Sequence, residues 1–165
     1  MGFIHRKSDI DIAAVCEVAL TNQQKRHVAS AIVDVSRSCP ARGVEFTHYR
    51  REVAAAPPRA ADFEVTANGG PRMATAIHLN PDTESGFWYV LDRAVAHRSG
   101  VTISGPRPSD VFAEEPRRTL LDAMHASMAL HRVHERATLY SVLNACRAWR
   151  FADENVLGSK LEGPT

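Results

Sequence analysis

Ser8-Asp9-Ile10-Asp11-Ile12 is the stretch whose reading decides the fold. Side chains alternate along an extended strand, so residues two apart face the same way. Asp9 and Asp11 therefore project together, while Ile10 and Ile12 are expected to turn into a core. Further on, Val44-Glu45-Phe46 repeats the pattern, with Glu45 outward between two inward apolar neighbours. Two such strands side by side bring three carboxylates to one spot. Three negative charges that close repel, so the arrangement asks for a hard divalent cation. Mg²⁺ accompanying nucleotide phosphates is the usual answer to that donor set.

Between the two acidic strands the sequence reads as a helix. Thr21 and Gln24 make a capping box, and Val28, Ile32 and Val35 recur at helical spacing. Cys39-Pro40-Ala41-Arg42-Gly43 breaks that helix and leads into a strand from Val44 to Arg50. Strand, helix and strand in succession form a βαβ-like unit. Ala54 to Pro58 reads as a connector, Phe63-Glu64-Val65-Thr66 as a short strand and Asn68-Gly69-Gly70-Pro71 as a turn. From Gly86 the chain reads as mostly helical. One helix opens at Phe87-Trp88-Tyr89 and ends at Gly100, and Val101 to Ser104 is expected to be extended. Pro116 suits the first turn of a helix on which Leu121, Met124 and Met128 share a face. In the last helix Leu139, Val142, Leu143, Cys146 and Trp149 form the apolar stripe, opposite a polar row of Tyr140, Asn144 and Arg147.

The chain has 165 residues, 44% of them hydrophobic, enough for a real core. A formal net charge of +1 gives no bulk electrostatic case for a nucleic-acid or anionic-membrane partner. No apolar run reaches membrane-spanning length. Cys16, Cys39 and Cys146 are odd in number and scattered, which reads as reduced thiols in a cytoplasmic protein. Phe87-Trp88-Tyr89 reads as core rather than as a stacking platform.

The paired acids, the amphipathic helix and the later apolar-Glu-apolar triplet resemble the core of the nucleotidyltransferase superfamily. Val142-Leu143-Asn144-Ala145-Cys146-Arg147-Ala148-Trp149-Arg150 followed by Ser159-Lys160, and Gly105-Pro106 followed by Asp110-Val111-Phe112, narrow the likeness. They resemble the C-terminal helical part of aminoglycoside 3″-adenylyltransferase-like proteins. That resemblance implies an α+β fold: a nucleotidyltransferase-type βαβ mixed sheet over residues 1–84 and a helical-bundle domain over 85–165. It implies transfer of AMP from ATP to a hydroxyl of a small molecule such as streptomycin or spectinomycin, with Mg²⁺. Asp9 and Asp11 match the family's metal ligands, and Ser8 matches a serine that contacts ATP. Glu45 matches the carboxylate that is both metal-proximal and general base. Lys160 matches a lysine that reaches the nucleotide phosphates, and Arg147 precedes it on the polar row, where a structural ion pair is the competing role. His131 stands near the family's substrate-binding Trp, and Glu135 is the acid of that stretch.

The family also has a Gly-Ser phosphate-holding element before the first acid, and its helical domain runs on past the Ser-Lys motif. Against that pattern this chain is expected to be shortened at both ends. Two alternatives accordingly stand beside the enzyme: an inactive remnant, and a nucleotidyltransferase module acting on a macromolecule.

Overall fold

Thr21 opens the first helix as its spacing requires. Its Oγ1 accepts from the Gln24 backbone N–H, and the Gln24 side chain accepts from the Thr21 N–H, closing the capping box. This helix, α1 (Asn22–Ser36), lies between β1 (Ile10–Cys16) and β2 (Val44–Arg50). The structure, a computed structural model, describes residues 7–134 and 139–158. They fall into two compact units, one ending at Glu84 and the next beginning at Ser85.

In the first unit a short helix, α2 (Arg51–Ala55), follows β2. The strands β3 (Val65–Gly70) and β4 (Met73–His78) complete a mixed sheet of order β1-β2-β3-β4 among the described residues. β1 and β2 are parallel, and the other neighbouring pairs are antiparallel. Ala29, Val44, Phe46, Val65 and Ala67 form the core, with Ile12, Ala14, Val28 and Ile32 packed against it.

Three expectations for this unit give way. Ile10, the first residue of an edge strand, stays exposed. Val35 is also exposed, and the residue that α1 buries at its end is Ser36, whose Oγ donates to the Val33 carbonyl at 2.8 Å. The Asn68-Gly69-Gly70 segment is strand, and the chain reverses only at Pro71-Arg72, into a strand the composition did not signal. The glycines serve close approach. A Cβ on Gly69 would sit 2.7 Å from Ser36 Oγ, and one on Gly70 would sit 2.3 Å from Gly43 Cα.

The second unit contains α3 (Gly86–Ser99), a single turn α4 (Pro108–Val111), α5 (Arg117–His134) and α6 (Leu139–Glu154). Val90, Ala94, Leu120, Ala123, Met124, Ala148 and Phe151 make its core, flanked by Leu121 and Met128 as the helical spacing predicts. Beside it lies an ion pair at 1% and 2% exposure, in which Arg93 Nε and Nη2 donate to Glu115 Oε1 at 3.1 and 2.9 Å. Val101 to Ser104 is irregular rather than extended in a sheet, and Val101 and Ile103 are exposed. α6 is turned from its expected face: Val142 and Trp149 are exposed, while Ala148 and Phe151 are buried. The polar row explains the turn, because Asn144 meets His131 of α5 at 3.5 Å between side-chain nitrogens. The side chains of Leu139 and Tyr140 lie outside the described residues. Among the described residues no helix is long and apolar enough to cross a membrane.

Candidate active site

Parallel pairing sets the register that matters: Asp11 lies directly opposite Glu45 on β1 and β2. Partners in a parallel pair leave the sheet on the same face. The flanking Ile12 and Phe46, also paired, go to the core face instead. Asp9 precedes β1 by one residue and reaches toward the loop that leads into β2. That loop is fastened to the start of β1 by two backbone hydrogen bonds, Ile10 N–H to the Gly43 carbonyl at 2.9 Å and Arg42 N–H to the Ser8 carbonyl at 3.0 Å.

The same loop contributes the residue that the sequence reading did not single out. Arg42 Nη2 donates to Asp9 Oδ2 at 2.5 Å and stands 3.7 Å from Glu45 Oε1. One guanidinium nitrogen thus bridges carboxylates from the start of β1 and from β2. Burial pushes the Asp9 carboxyl up, but the Arg42 hydrogen bond, the backbone and the Arg42 charge outweigh it, and the group lies below its ordinary value of 3.8. Half-exposed pairs of this kind contribute about 1 kcal/mol or less. Arg42 Nε, by contrast, is buried with no hydrogen-bond partner, a loss of about 1–3 kcal/mol for an unsatisfied group. Ser8, Asp11 and Glu45 take part in further polar interactions of their own.

The donor set fits a hard divalent cation in kind, since Asp9, Asp11 and Glu45 offer only carboxylate oxygens. In the fold, two of these carboxylates face the Arg42 guanidinium. Among the described residues no three His, Cys, Asp or Glu side chains are gathered closely enough to hold a metal.

The other residues named from the sequence lie in the second unit. His131 is buried on α5, edge-on to the Trp88 ring at 6.0 Å between centroids, and its Nε2 stands 3.5 Å from Asn144 Nδ2. Arg147 lines a small cleft with Leu91, Met124, Ser127, Met128, Asn144 and Ala148. The cleft is narrow and lies on the polar row of α6. Glu135 and Lys160 lie outside the described residues, as does the His134 side chain.

A second polar cluster was not legible in the sequence. Glu64, nearly fully buried, accepts the Leu20 N–H at 2.9 Å and pairs with Lys25 and Arg50, each at 3.2 Å. It joins the start of α1 to the end of β2, so its role is to hold the sheet unit together. His48 lies close by, its Nδ1 3.8 Å from Cys16 Sγ. Burial lowers the His48 pKa and raises that of Cys16, the opposite of what activates a thiol.

No protein-family model and no curated protein sequence matches the chain. Among solved structures, the fold is similar to that of spectinomycin adenyltransferase AAD(9) from Enterococcus faecialis, crystallised with ATP and spectinomycin. The TM-score is 0.64 at 19% identity, over 95% of this chain and 66% of that one, so this chain spans just under two thirds of that protein's length. The likeness is one of fold: an α+β arrangement with a mixed four-stranded sheet and a helical C-terminal part, as in that nucleotidyltransferase.

Proposed function

We propose that this chain is a nucleotidyltransferase that transfers AMP from ATP to a hydroxyl of a small molecule, with an aminoglycoside-type antibiotic such as spectinomycin or streptomycin as the acceptor class. The observation that carries this reading is the register of Asp11 opposite Glu45, with Asp9 beside them, on a fold similar to a spectinomycin adenyltransferase. The acceptor oxygen attacks the α-phosphorus of ATP, the bond to the bridging oxygen breaks, and pyrophosphate leaves. Glu45, half-exposed on the outward face of β2, takes the hydroxyl proton as the new P–O bond forms. Asp9 and Asp11 are the residues that would hold Mg²⁺ together with Glu45. When bound, such an ion stabilises charge on the attacking and leaving oxygens. Ser8, at the edge of this cluster, is the proposed hydroxyl contact to ATP.

The test separates chemistry from binding. The protein is incubated with ATP, Mg²⁺ and spectinomycin or streptomycin, and the adenylylated product is followed by mass spectrometry. Glu45→Gln keeps the size of the side chain but removes the proton acceptor. It is expected to lower kcat by roughly 10²–10⁴-fold while ATP affinity changes little. Near-normal kcat in that variant would sink the assignment of Glu45.

A further inference from the structure

We infer that Arg42 is a resident counter-cation of the carboxylate cluster, and that a divalent cation binds there only as the guanidinium leaves Asp9 and Glu45. The inference rests on the reading of Asp9, Asp11 and Glu45 as cation ligands and adds a competitor supplied by the chain itself.

Position is the first argument. Arg42 Nη2 lies 2.5 Å from one carboxylate oxygen and 3.7 Å from another on the next strand. A metal ion using the same oxygens would stand within a few ångströms of that guanidinium, where two cations repel strongly. Both cannot hold Asp9 Oδ2 at once.

The second argument is that the backbone of Arg42 is pinned while its side chain is partly exposed. The Arg42 N–H is held by Ser8, its carbonyl accepts the Arg72 N–H at 3.1 Å, and Gly43 is pressed against Gly69, Gly70 and Met73. Backbone displacement would disturb all of these. The side chain, by contrast, is 41% exposed. A third observation is the partnerless Nε. An arginine selected only to tie the loop down would be expected to use that donor. Leaving the seat therefore sacrifices one good hydrogen bond and one long ion pair, no more.

The consequence is a site whose net charge is set by a switchable residue. With the guanidinium in place the three acids are partly neutralised, and free divalent metal is bound weakly. Removing the charge of residue 42 should therefore strengthen metal binding, contrary to the usual outcome of mutating an active-site residue.

Calorimetric titration with MnCl₂ alone, at fixed ionic strength and without nucleotide, tests this on wild type, Arg42→Gln and Arg42→Lys. Arg42→Gln is expected to bind Mn²⁺ up to about fivefold more tightly than wild type, the ceiling set by losing one partly exposed ion pair of about 1 kcal/mol. Arg42→Lys, which keeps the charge, should stay within about twofold of wild type. Thermal melts provide the independent readout: metal-free Arg42→Gln melts lower than wild type, and Mn²⁺ raises its Tm by more. Adding Asp11→Asn to Arg42→Gln should abolish the gain, which places the ion at these acids. Equal or weaker binding by a folded Arg42→Gln overturns the role of Arg42 while leaving the acids as ligands. Absence of Mn²⁺ binding in all the variants overturns the ligand reading itself, and this inference with it.

Discussion

Gly70→Ala should damage the sheet unit through the loop that carries Arg42. A Cβ at Gly70 would fall 2.3 Å from Gly43 Cα, 2.7 Å from the Arg42 carbonyl oxygen and 3.1 Å from Gly43 N. All three are backbone atoms, so no side-chain rotation relieves the clash. Non-bonded carbons rest about 3.5–4.0 Å apart, so the loop and β3 must separate by roughly an ångström or more. That movement pulls on the Arg72 N–H bond to Arg42 and on the Ile10 and Arg42 bonds that dock the loop on β1. Overpacking of this kind costs about 1–3 kcal/mol, and a clash confined to backbone belongs at the upper end. For a unit of this size a loss of about 3 kcal/mol lowers Tm by roughly 12–24 °C. Urea unfolding followed by far-ultraviolet circular dichroism measures the loss. Gly105→Ala is the control. That residue has φ +88 with nothing within 4 Å of a new Cβ, so only the left-handed backbone penalty of about 1–2 kcal/mol applies. If Gly70→Ala unfolds at the same urea concentration as wild type, the β3–loop contact does not constrain the site and the argument for a fixed Arg42 backbone fails.

Glu115→Gln removes the counter-charge of a guanidinium at 1% exposure and should cost the helical unit about 3–5 kcal/mol in urea unfolding. The double variant Arg93→Met/Glu115→Gln should recover most of that, and a single-variant loss under about 1 kcal/mol would contradict the pair's importance. His48 provides a pH test: burial sets its pKa below the ordinary 6.5, with Glu64 raising it and Lys25 lowering it. The unfolded chain therefore takes up the proton first. The stability this residue contributes is complete above about pH 6.5 and falls as pH drops toward the folded-state value. His48→Phe, which retains the ring beside Phe46, should flatten the urea midpoint between pH 7.5 and 5.5. An identical slope in wild type and variant would show that His48 is already accessible to protons in the fold.

The parts of this fold legible in the sequence are those decided locally. Thr21 and Gln24 specify the start of α1 by contacts three residues apart, and period-two patterning marks β1 and β2. What was missed depends on partners distant in the chain. Asn68-Gly69-Gly70 has turn composition, yet it is strand because Ser36 and Gly43 press against it from elsewhere. The α6 stripe was assigned by hydropathy alone, but Asn144 finds His131 on α5 and leaves Val142 and Trp149 outside.

Arg42 illustrates the same limit at the site. An arginine in a Pro- and Gly-containing breaker reads as a solvated loop residue, and nothing within three or four positions says otherwise except Glu45. Its meaning arises only when parallel pairing sets β1 beside β2 and brings Asp9 to one side of the guanidinium and Glu45 to the other. In the fold, Asp9 and Glu45 meet one guanidinium nitrogen, so part of their negative charge is offset by the chain itself. Period-two patterning turns Asp9 and Glu45 outward, but the loop arginine that meets both of them is set only by the pairing of β1 with β2.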